Sequence, residues 1–263
     1  MHGLINHVYY ATHGLPAPIP TPEQILTSTE YLNRNPAGCT VGVGQHFVVK
    51  YGQGMSFSEA DTLRFLEIYS EVPIPRVYAL FEHNDKNYMV LERIQGWTLD
   101  QAWPALKIWE KSAITWRLKS IMHNLRQLRS PGGYCSIGLH SPEGLRDHIF
   151  RPWDESKPPA GPFDRESAIN TMVLTYLLKK TSSTQQTVAF CRAFDEPEDH
   201  PPTFTHGDFQ RNNIMLSKDG HIILIDWSEA GYDCVDQILQ PTFVEHGLFM
   251  RELWKLEGLP DLM

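Results

Sequence analysis

Residues 205–227 read T-H-G-D-F-Q-R-N-N-I-M-L-S-K-D-G-H-I-I-L-I-D-W, and this stretch decides how the rest of the chain is interpreted. Residues 214–216 form a short apolar run, and residues 221–225 form a second one. The sequence Lys218-Asp219-Gly220 between them suits a tight turn, because Asp-Gly tolerates the positive φ angles that such a turn needs. The stretch therefore predicts two antiparallel strands joined as a hairpin.

Three polar side chains flank the predicted hairpin. Asn213 lies five residues after Asp208, and Asp226 lies thirteen residues after Asn213. Asn213 is where the first strand begins, and Asp226 is where the second strand ends. Because those two ends lie side by side in an antiparallel pair, we expect the amide of Asn213 near the carboxylate of Asp226, with Asp208 on the loop just before them.

This arrangement suits phosphoryl transfer. A carboxylate can accept the proton of an attacking hydroxyl, while an Asn and an Asp hold Mg²⁺ on the nucleotide phosphates. Mg²⁺ prefers oxygen ligands and often takes only one or two from the protein. The simpler interpretation is a hairpin with turn-type polar residues at its ends. H-G-D-x4-N followed by a hairpin and D-W is more specific than a lone D-x4-N, and it favours a kinase-like site.

On these residues the segment resembles the catalytic and metal loops of the aminoglycoside phosphotransferase family, which includes choline-kinase-like and many fungal small-molecule kinases. The resemblance extends by pattern over residues 47–231. It implies that Asp208 is the catalytic base, that Asn213 and Asp226 are the magnesium ligands, and that His206 braces the catalytic loop.

The family is similar in fold to the protein kinases. The resemblance therefore implies an α+β, two-lobed protein-kinase-like fold, with a small β-rich N-lobe and a mainly helical C-lobe. We expect a nucleotide-binding lobe over residues 1–94 and a helical lobe with the catalytic and metal loops over residues 95–263. ATP with Mg²⁺ would sit between the lobes.

The order of elements upstream fits a nucleotide-binding lobe. Residues 47–51 are a β-prone run, and residues 77–81 and 88–91 are two more, joined by a polar turn at 83–87. A helix is predicted between the first strand and the second, with Ser58 as its N-cap and Asp61 at its third position. Its apolar face is predicted to consist of Leu63, Leu66 and Tyr69.

Lys50 on the first of these strands is the candidate phosphate-binding lysine. By the resemblance it binds the α- and β-phosphates and pairs with a helix carboxylate, for which Glu59 is the first candidate and Glu67 the alternative. The simpler interpretation of Lys50 is an exposed strand lysine. For Glu59 it is an acidic residue that interacts favourably with the helix dipole.

Residues 89–96 are predicted to link the two lobes. By the resemblance, adenine binds against the backbone of Glu92, Arg93 and Ile94, although a plain strand end is the simpler interpretation. The loop that would cover the phosphates is poorly defined. Residues 36–45 contain three glycines but no G-x-G-x-x-G, and Gly42 and Gly44 equally suit a strand turn.

The remaining residues predict a helical region. Thr98 and Gln101 form a capping-box pattern ahead of a short helix that ends near Pro104. Residues 109–129 form the clearest long helix, with an apolar stripe at helical spacing that indicates core packing. Residues 165–180 and 184–194 are also predicted helices. Residues 141–163 are a proline-rich loop that could contribute to the acceptor site.

Composition narrows the functional class. The chain has 263 residues, with 23 basic and 31 acidic side chains and a net charge of −8, and no basic block suited to nucleic acid. Its four cysteines form no C-x-x-C pair, which fits a reducing compartment. No apolar run approaches the length of a membrane span. Composition thus fits an intracellular protein, and together with the resemblance we expect a cytoplasmic protein that binds nucleotide and a small-molecule hydroxyl acceptor.

Three alternatives remain at this stage. A metallohydrolase using His206, Asp208 and Asp226 would leave Asn213 without a role. A pseudokinase or nucleotide-binding regulatory module would keep the fold without turnover, and the 37 residues after Asp226 favour it because relatives have a longer helical tail. A protein substrate is disfavoured, since D-W-S replaces D-F-G and no A-P-E follows.

Asp233 and Asp236 suggest a cationic acceptor, although solvated surface carboxylates are the simpler interpretation.

Overall fold

The computed structural model describes residues 6–35, 38–53, 55–138, 142–146, 160–180, 188 and 200–233. The chain divides into two compact units, one formed by Met1–Trp97 with Met215–Ile225 and the other by Thr98–Ile214 with Asp226–Met263. The first unit therefore includes residues 215–225, which form most of the predicted hairpin. The lobe bounds at residues 94 and 95 stay a prediction.

The first unit contains a six-stranded antiparallel sheet in the order β1-β5-β6-β4-β3-β2. Its strands are β1 (Asn6–Tyr10), β2 (Tyr31–Asn35), β3 (Gly38–Val43), β4 (Phe47–Gly52), β5 (Val77–His83) and β6 (Lys86–Glu92). The three predicted strands are β4, β5 and β6, each slightly longer than expected. The turn between β5 and β6 contains only Asn84 and Asp85, both at positive φ (49° and 57°), so it is tighter than the predicted polar turn.

One face of this sheet carries an aromatic core. Tyr51, Tyr88 and Phe81 stack in succession, with ring centroids 5.5 Å and 4.9 Å apart and nearly parallel planes. The chain before β2 covers this face, because Ala11, Leu15, Ala17, Ile19 and Ile25 pack against it. The last of these belongs to helix α1 (Pro22–Leu26), which begins with a capping box.

Helix α2 (Ser58–Tyr69) lies between β4 and β5 in the sequence and contacts β5. Leu63 and Leu66 are buried as predicted, but Tyr69 is 64% exposed and does not belong to the apolar face. The prediction of Ser58 as the N-cap is also wrong. Ser58 is the first helical residue, and its amide donates to the hydroxyl of Ser56 at 3.1 Å.

The predicted hairpin is present in a second, three-stranded sheet. This sheet contains β7 (Gly96–Thr98), β9 (Ile214–Ser217) and β10 (Ile222–Leu224), in the order β10-β9-β7. Gly220 occupies the turn at φ 80°. The hairpin is tied to the rest of the first unit by the amide of Lys218, which donates to the carbonyl of Gln95, and by the amide of Leu224, which donates to the carbonyl of Pro73.

The second unit contains the two longest helices of the described residues, together with a short one. They are α3 (Leu99–Ala102), α4 (Ile108–Arg126) and α5 (Glu166–Lys180), and a 3₁₀ turn (Trp103–Ala105) follows α3. The Thr98–Gln101 capping box is present. Helix α4 ends three residues before the predicted 129, and it buries Ile114, Leu118 and Leu125 of the predicted stripe. Strands β8 (Thr203–Thr205) and β11 (Gly231–Asp233) pair antiparallel.

Several predicted segments cannot be compared with the structure. The helix predicted over residues 184–194 and most of the loop at 141–163 lie outside the described residues. Within the part of the chain that is described, no helix is both long and apolar enough to cross a membrane.

Candidate active site

Strand β8 leads directly into the loop that carries Asp208. Thr205, its last residue, donates from its hydroxyl to the carboxylate of Asp233 at 2.7 Å, and both residues are buried. This bond fastens β8 to β11 immediately before the loop. It also shows that the prediction of a solvated surface carboxylate is wrong for Asp233, which is only 6% exposed. Asp236 lies outside the described residues.

Asp208 is held by two side-chain amides. The Nδ2 of Asn213 donates to its Oδ2 at 2.7 Å, and the Nε2 of Gln210 lies 3.0 Å from each carboxylate oxygen. Asp208 is half-buried, so part of the residue remains accessible to solvent. Hydrogen bonds from neutral amides orient a carboxylate while leaving its negative charge in place.

Asn213 closes the loop back onto itself. It ends a 3₁₀ turn (Arg211–Asn213) just before β9, and it is 7% exposed. Its Nδ2 also donates to the backbone oxygen of Asp208 at 2.9 Å. Since the nitrogen of this amide is engaged twice by Asp208, the amide oxygen is the atom left to face a cation. Two of the predicted site residues are thus in direct contact.

His206 is buried beneath the loop. Its exposed fraction is 1%, and its Nδ1 accepts a hydrogen bond from the amide of Asp208 at 3.4 Å. Its ring centroid is 4.3 Å from that of Trp227. The ring is therefore buried and bonded to the backbone of the loop, and the bracing role that the resemblance implies stays a prediction.

Asp226 is linked to the same loop through the residue that follows it. Trp227 is fully buried and packs on His206 and on Phe204 of β8, whose ring centroid is 6.3 Å away. Phe204 in turn meets Tyr232 edge-on at 4.9 Å. This aromatic cluster attaches the segment after β10 to the strand and loop that carry Asp208.

The backbone of Asp226 has an uncommon conformation. Its φ is +63°, which few residues other than Gly, Asn and Asp adopt, and the hydroxyl of Ser228 lies 3.3 Å from its Oδ1. Non-glycine residues held at positive φ occur often at functional sites. Within the described residues, no three His, Cys, Asp or Glu side chains group as a metal site.

Lys50 and Glu59 form an ion pair within the first unit. The Nζ of Lys50 is 2.7 Å from Oε2 and 2.9 Å from Oε1 of Glu59. The lysine side chain is 20% exposed and the glutamate side chain only 6%. Glu59, the first candidate, is therefore the carboxylate that pairs with Lys50. Glu67, the alternative, is exposed at the far end of α2.

The segment predicted to receive adenine follows β6. The amide of Glu92 donates to the carbonyl of Arg76 and the amide of Arg93 to the carbonyl of His46, each at 2.9 Å. No hydrogen bond of the Ile94 amide is found among the described residues. The guanidinium of Arg93 is paired with the carboxylate of Glu30, so this side chain is already engaged.

The glycines of the candidate phosphate loop lie in β3 and in the turn that follows it. Gly42 lies within β3, and Gly44 occupies the turn between β3 and β4 at φ 61°. The carbonyl of Gly44 accepts a hydrogen bond from Arg93 at 2.7 Å, and that of Gln45 accepts one from Gln95 at 2.7 Å. A strand turn is therefore present at Gly44, and its use to cover the phosphates stays a prediction.

Three residues near the site were not predicted from the sequence, namely Gln210, Trp103 and Arg211. The Cζ of Arg211 lies 5.0 Å from the ring centroid of Trp103, which follows α3. Gln210 had no signal beyond its place two residues after Asp208. The Trp103–Arg211 contact joins residues far apart in sequence, so no local pattern could have indicated it.

Comparisons with known proteins identify the family of the chain. A family model described as the phosphotransferase enzyme family matches residues 56–236, a range that includes Glu59, Glu92 and the hairpin at residues 214–225 but not Lys50. A comparison with curated protein sequences gives no match.

Solved structures resemble the chain in fold. The ADP-bound aminoglycoside phosphotransferase APH(2'')-Ib has a TM-score of 0.54 at 19% identity, covering 88% of this chain and 77% of that one. A thermostable mutant of APH(4)-Ia in ternary complex with ADP and hygromycin B has a TM-score of 0.51 at 18% identity, covering 88% and 80%. A streptomycin–ATP–APH(2'')-IIa ternary complex has a TM-score of 0.51 at 19% identity, covering 80% and 69%. The predicted α+β, protein-kinase-like fold is confirmed.

Proposed function

The chain belongs to the phosphotransferase enzyme family, and from that premise we propose that it transfers the γ-phosphoryl group of ATP to a hydroxyl of a small molecule. The observation that carries this proposal is the double hydrogen bond from the Asn213 amide to Asp208. It holds a carboxylate and an amide oxygen on one short loop, and phosphoryl transfer depends mainly on such positioning.

Asp208 is the proposed base. The acceptor hydroxyl oxygen attacks the γ-phosphorus, the bond from that phosphorus to the β–γ bridging oxygen breaks, and ADP leaves. The hydroxyl proton passes to the Asp208 carboxylate. The accessible part of this half-buried residue would receive the acceptor, while the amides of Gln210 and Asn213 donate to the carboxylate. His206 supports the loop and takes no proton in this scheme.

Asn213 and Asp226 are the proposed magnesium ligands. The residues fit the ion, because an amide oxygen and a carboxylate are the hard oxygen donors that Mg²⁺ prefers, and two protein ligands are enough when phosphate and water complete the shell. Bound Mg²⁺ would neutralise charge on the phosphate oxygens during transfer. The bond from Ser228 would orient the carboxylate of Asp226.

Lys50 and the segment Glu92–Ile94 are the proposed nucleotide contacts in the first unit. Lys50 would bind the α- and β-phosphates, with Glu59 holding its ammonium group in place. The amide of Ile94 would donate to the adenine, because the amides of Glu92 and Arg93 are already bonded. The side chain of Arg93 would contribute indirectly to nucleotide binding, since it donates a hydrogen bond to the carbonyl of Gly44 in the β3–β4 turn.

The acceptor class is proposed from the family and from the sequence. The solved structures named above include complexes with hygromycin B and with streptomycin, which are polyhydroxylated small molecules. Position 227 carries Trp in place of the Phe of D-F-G, and no A-P-E follows to present a polypeptide. These features favour a small hydroxyl compound over a protein substrate.

The test is ADP release from Mg·ATP measured across a panel of hydroxyl compounds, including aminoglycosides, amino alcohols, sugars and nucleosides. At least one compound should raise the rate above ATP hydrolysis in water, and mass spectrometry should find that compound heavier by one phosphoryl group. Asp208→Asn should abolish this gain. If Mg·ATP binds yet no compound is phosphorylated, the kinase proposal fails and a binding module without turnover takes its place.

A further inference from the structure

Trp103 carries two cationic side chains against its indole ring. The Cζ of Arg211 is 5.0 Å from the ring centroid, and the Nζ of Lys111 is 5.2 Å from it. Both distances lie within the reach of a cation–π interaction, roughly 6 Å. Trp103 is only 8% exposed and both cationic residues are half-buried, so these contacts are partly shielded from water, which strengthens such interactions.

The ring itself rests on a firm local structure. Trp103 begins the 3₁₀ turn that follows α3, and its amide donates to the carbonyl of Leu99, a fully buried residue. The capping box of Thr98 and Gln101 secures the start of α3. Trp103 is therefore fixed by its own segment, independently of the cations that contact it.

The two cations belong to elements with different roles. Lys111 is in the first turn of α4, which carries none of the proposed site residues. Arg211 begins the 3₁₀ turn that ends at Asn213, and its carbonyl accepts the amide of Ile214. Because a three-residue turn has little freedom, the position of Arg211 sets the direction of Asn213, whose side chain meets Asp208.

We propose that Trp103 is a positioning residue for phosphoryl transfer, acting through Arg211 to hold the turn in the orientation where Asn213 meets Asp208. This inference rests on the function proposed above. Neither Trp103 nor Arg211 touches the reacting atoms in this scheme. Lys111 contacts the same ring from α4, a helix that carries none of the proposed site residues, so it provides a matched control for loss of a cation from Trp103.

The experiment compares Arg211→Met, Arg211→Lys, Lys111→Met and Trp103→Phe in the full chain, with Asp208→Asn alongside. Turnover of the acceptor found in the panel gives kcat and KM, calorimetry gives Mg·ADP binding, and thermal unfolding reports on the fold. Arg211→Met should lower kcat roughly 3- to 30-fold, the range of a desolvated cation–π contact, and weaken Mg·ADP binding in parallel. Lys111→Met should change both by no more than about twofold, as for a substitution away from the site.

Two further results bear on the mechanism. Arg211→Lys should recover most of the lost activity because it keeps a cation near the ring. Adding Arg211→Met to Trp103→Phe should cost less than it does in the unaltered chain, because the shared contact is already weakened. If Trp103→Phe unfolds, the comparison of Arg211→Met with Lys111→Met still decides the question.

The inference fails if Arg211→Met and Lys111→Met behave alike, or if Arg211→Met changes only the KM of the acceptor, as a direct substrate contact would. These outcomes are separable from failure of the proposed function. If Asp208→Asn keeps full activity, the base has been misassigned. If Asp208→Asn is slow while Arg211→Met is normal, only the role of Trp103 is wrong.

Discussion

A Cβ atom built on Gly207 would lie 2.2 Å from the backbone oxygen of Glu229. Gly207 directly precedes the proposed base, and Glu229 follows the proposed metal ligand Asp226 by three residues. The two backbones therefore touch within the second unit with no room for a side chain. Gly207 also has φ +77°, so both its conformation and its surroundings require glycine.

Gly207→Ala is predicted to lower the stability and abolish activity. The new methyl group must displace the backbone at Glu229, which we expect to cost more than about 2 kcal/mol. Gly220→Ala is the matched control, because Gly220 has φ +80° but no atom within 4 Å of its Cβ position. It should cost about 1 kcal/mol from positive φ alone and leave turnover intact. Chemical denaturation and turnover of both variants test this, and equal losses would contradict it.

Asp208→Asn is predicted to slow transfer while sparing nucleotide binding. The substitution is nearly isosteric but removes the group that accepts the proton. General-base contributions are typically ~10²–10⁴-fold, so kcat should fall within that range. Isothermal calorimetry should find Mg·ADP affinity nearly unchanged. A variant that loses nucleotide binding as well as turnover would assign Asp208 a structural role instead.

Asp226→Asn is predicted to act on the metal–nucleotide complex. Asn tolerates the positive φ at this position almost as well as Asp, so the backbone should keep its course. The loss of a negative ligand should raise the Mg²⁺ concentration needed for half-maximal nucleotide binding by roughly tenfold or more. Titration of Mg²⁺ at fixed ADP measures this shift. Asp219→Asn, in the exposed hairpin turn, should leave the titration curve where it was.

Lys50→Met is predicted to weaken ATP use and also to destabilise the first unit. Glu59 is 4% exposed, so removal of the lysine leaves a buried carboxylate without its ion-pair partner, at a cost of ~1–3 kcal/mol. Adding Glu59→Gln should restore much of the stability, because the buried charge is gone, but should not restore ATP use. Thermal unfolding and the KM for ATP separate the two effects. Normal ATP use by Lys50→Met would reduce Lys50 to a structural lysine.

The Glu30–Arg93 pair is predicted to make a small, pH-dependent contribution to stability. The hydrogen bond from Arg93 holds the pKa of the Glu30 carboxyl below its ordinary value. A lowered folded-state pKa stabilises the protein above the ordinary pKa, and this stabilisation is lost as the pH falls through the lowered value. Both side chains are partly exposed, so the effect should stay below about 1 kcal/mol. Denaturation of the native chain and of Glu30→Gln should differ at pH 7, and the difference should shrink as the pH falls below the ordinary pKa of a glutamate.

Local patterns were sufficient for several parts of the fold. The hairpin at residues 214–225 follows from two apolar runs on either side of Asp-Gly. The capping box follows from a Gln that lies three residues after Thr98. The Lys50–Glu59 pair was anticipated only as one of two choices. Ser58 was misassigned as the N-cap of α2. It is the first residue of the helix, and the side chain that accepts a hydrogen bond from its amide belongs to Ser56.

Long-range packing was beyond any such pattern. Asp233 resembles a surface carboxylate in the sequence, and only the pairing of β8 with β11 places it, buried, against Thr205. The same pairing brings Tyr232 to Phe204 and so positions Trp227 beneath His206. These contacts depend on which strands meet, and strand pairing is a property of the folded chain.

The sequence by itself pointed to the chemistry proposed for this protein, because Asp208 and Asn213 occur at a spacing that one short loop converts into contact, and Asp226 follows a hairpin that local turn preferences define. Turn preferences and apolar runs act over a few residues, so they can be recognised in the sequence without knowledge of the fold. Only the tertiary structure decided which contacts hold the loop that carries Asp208 and Asn213 in place. Trp103 reaches Arg211 across more than one hundred residues, and the backbone of Glu229 closes on Gly207, because burial of aromatic rings and exclusion of water select contacts that no local spacing encodes.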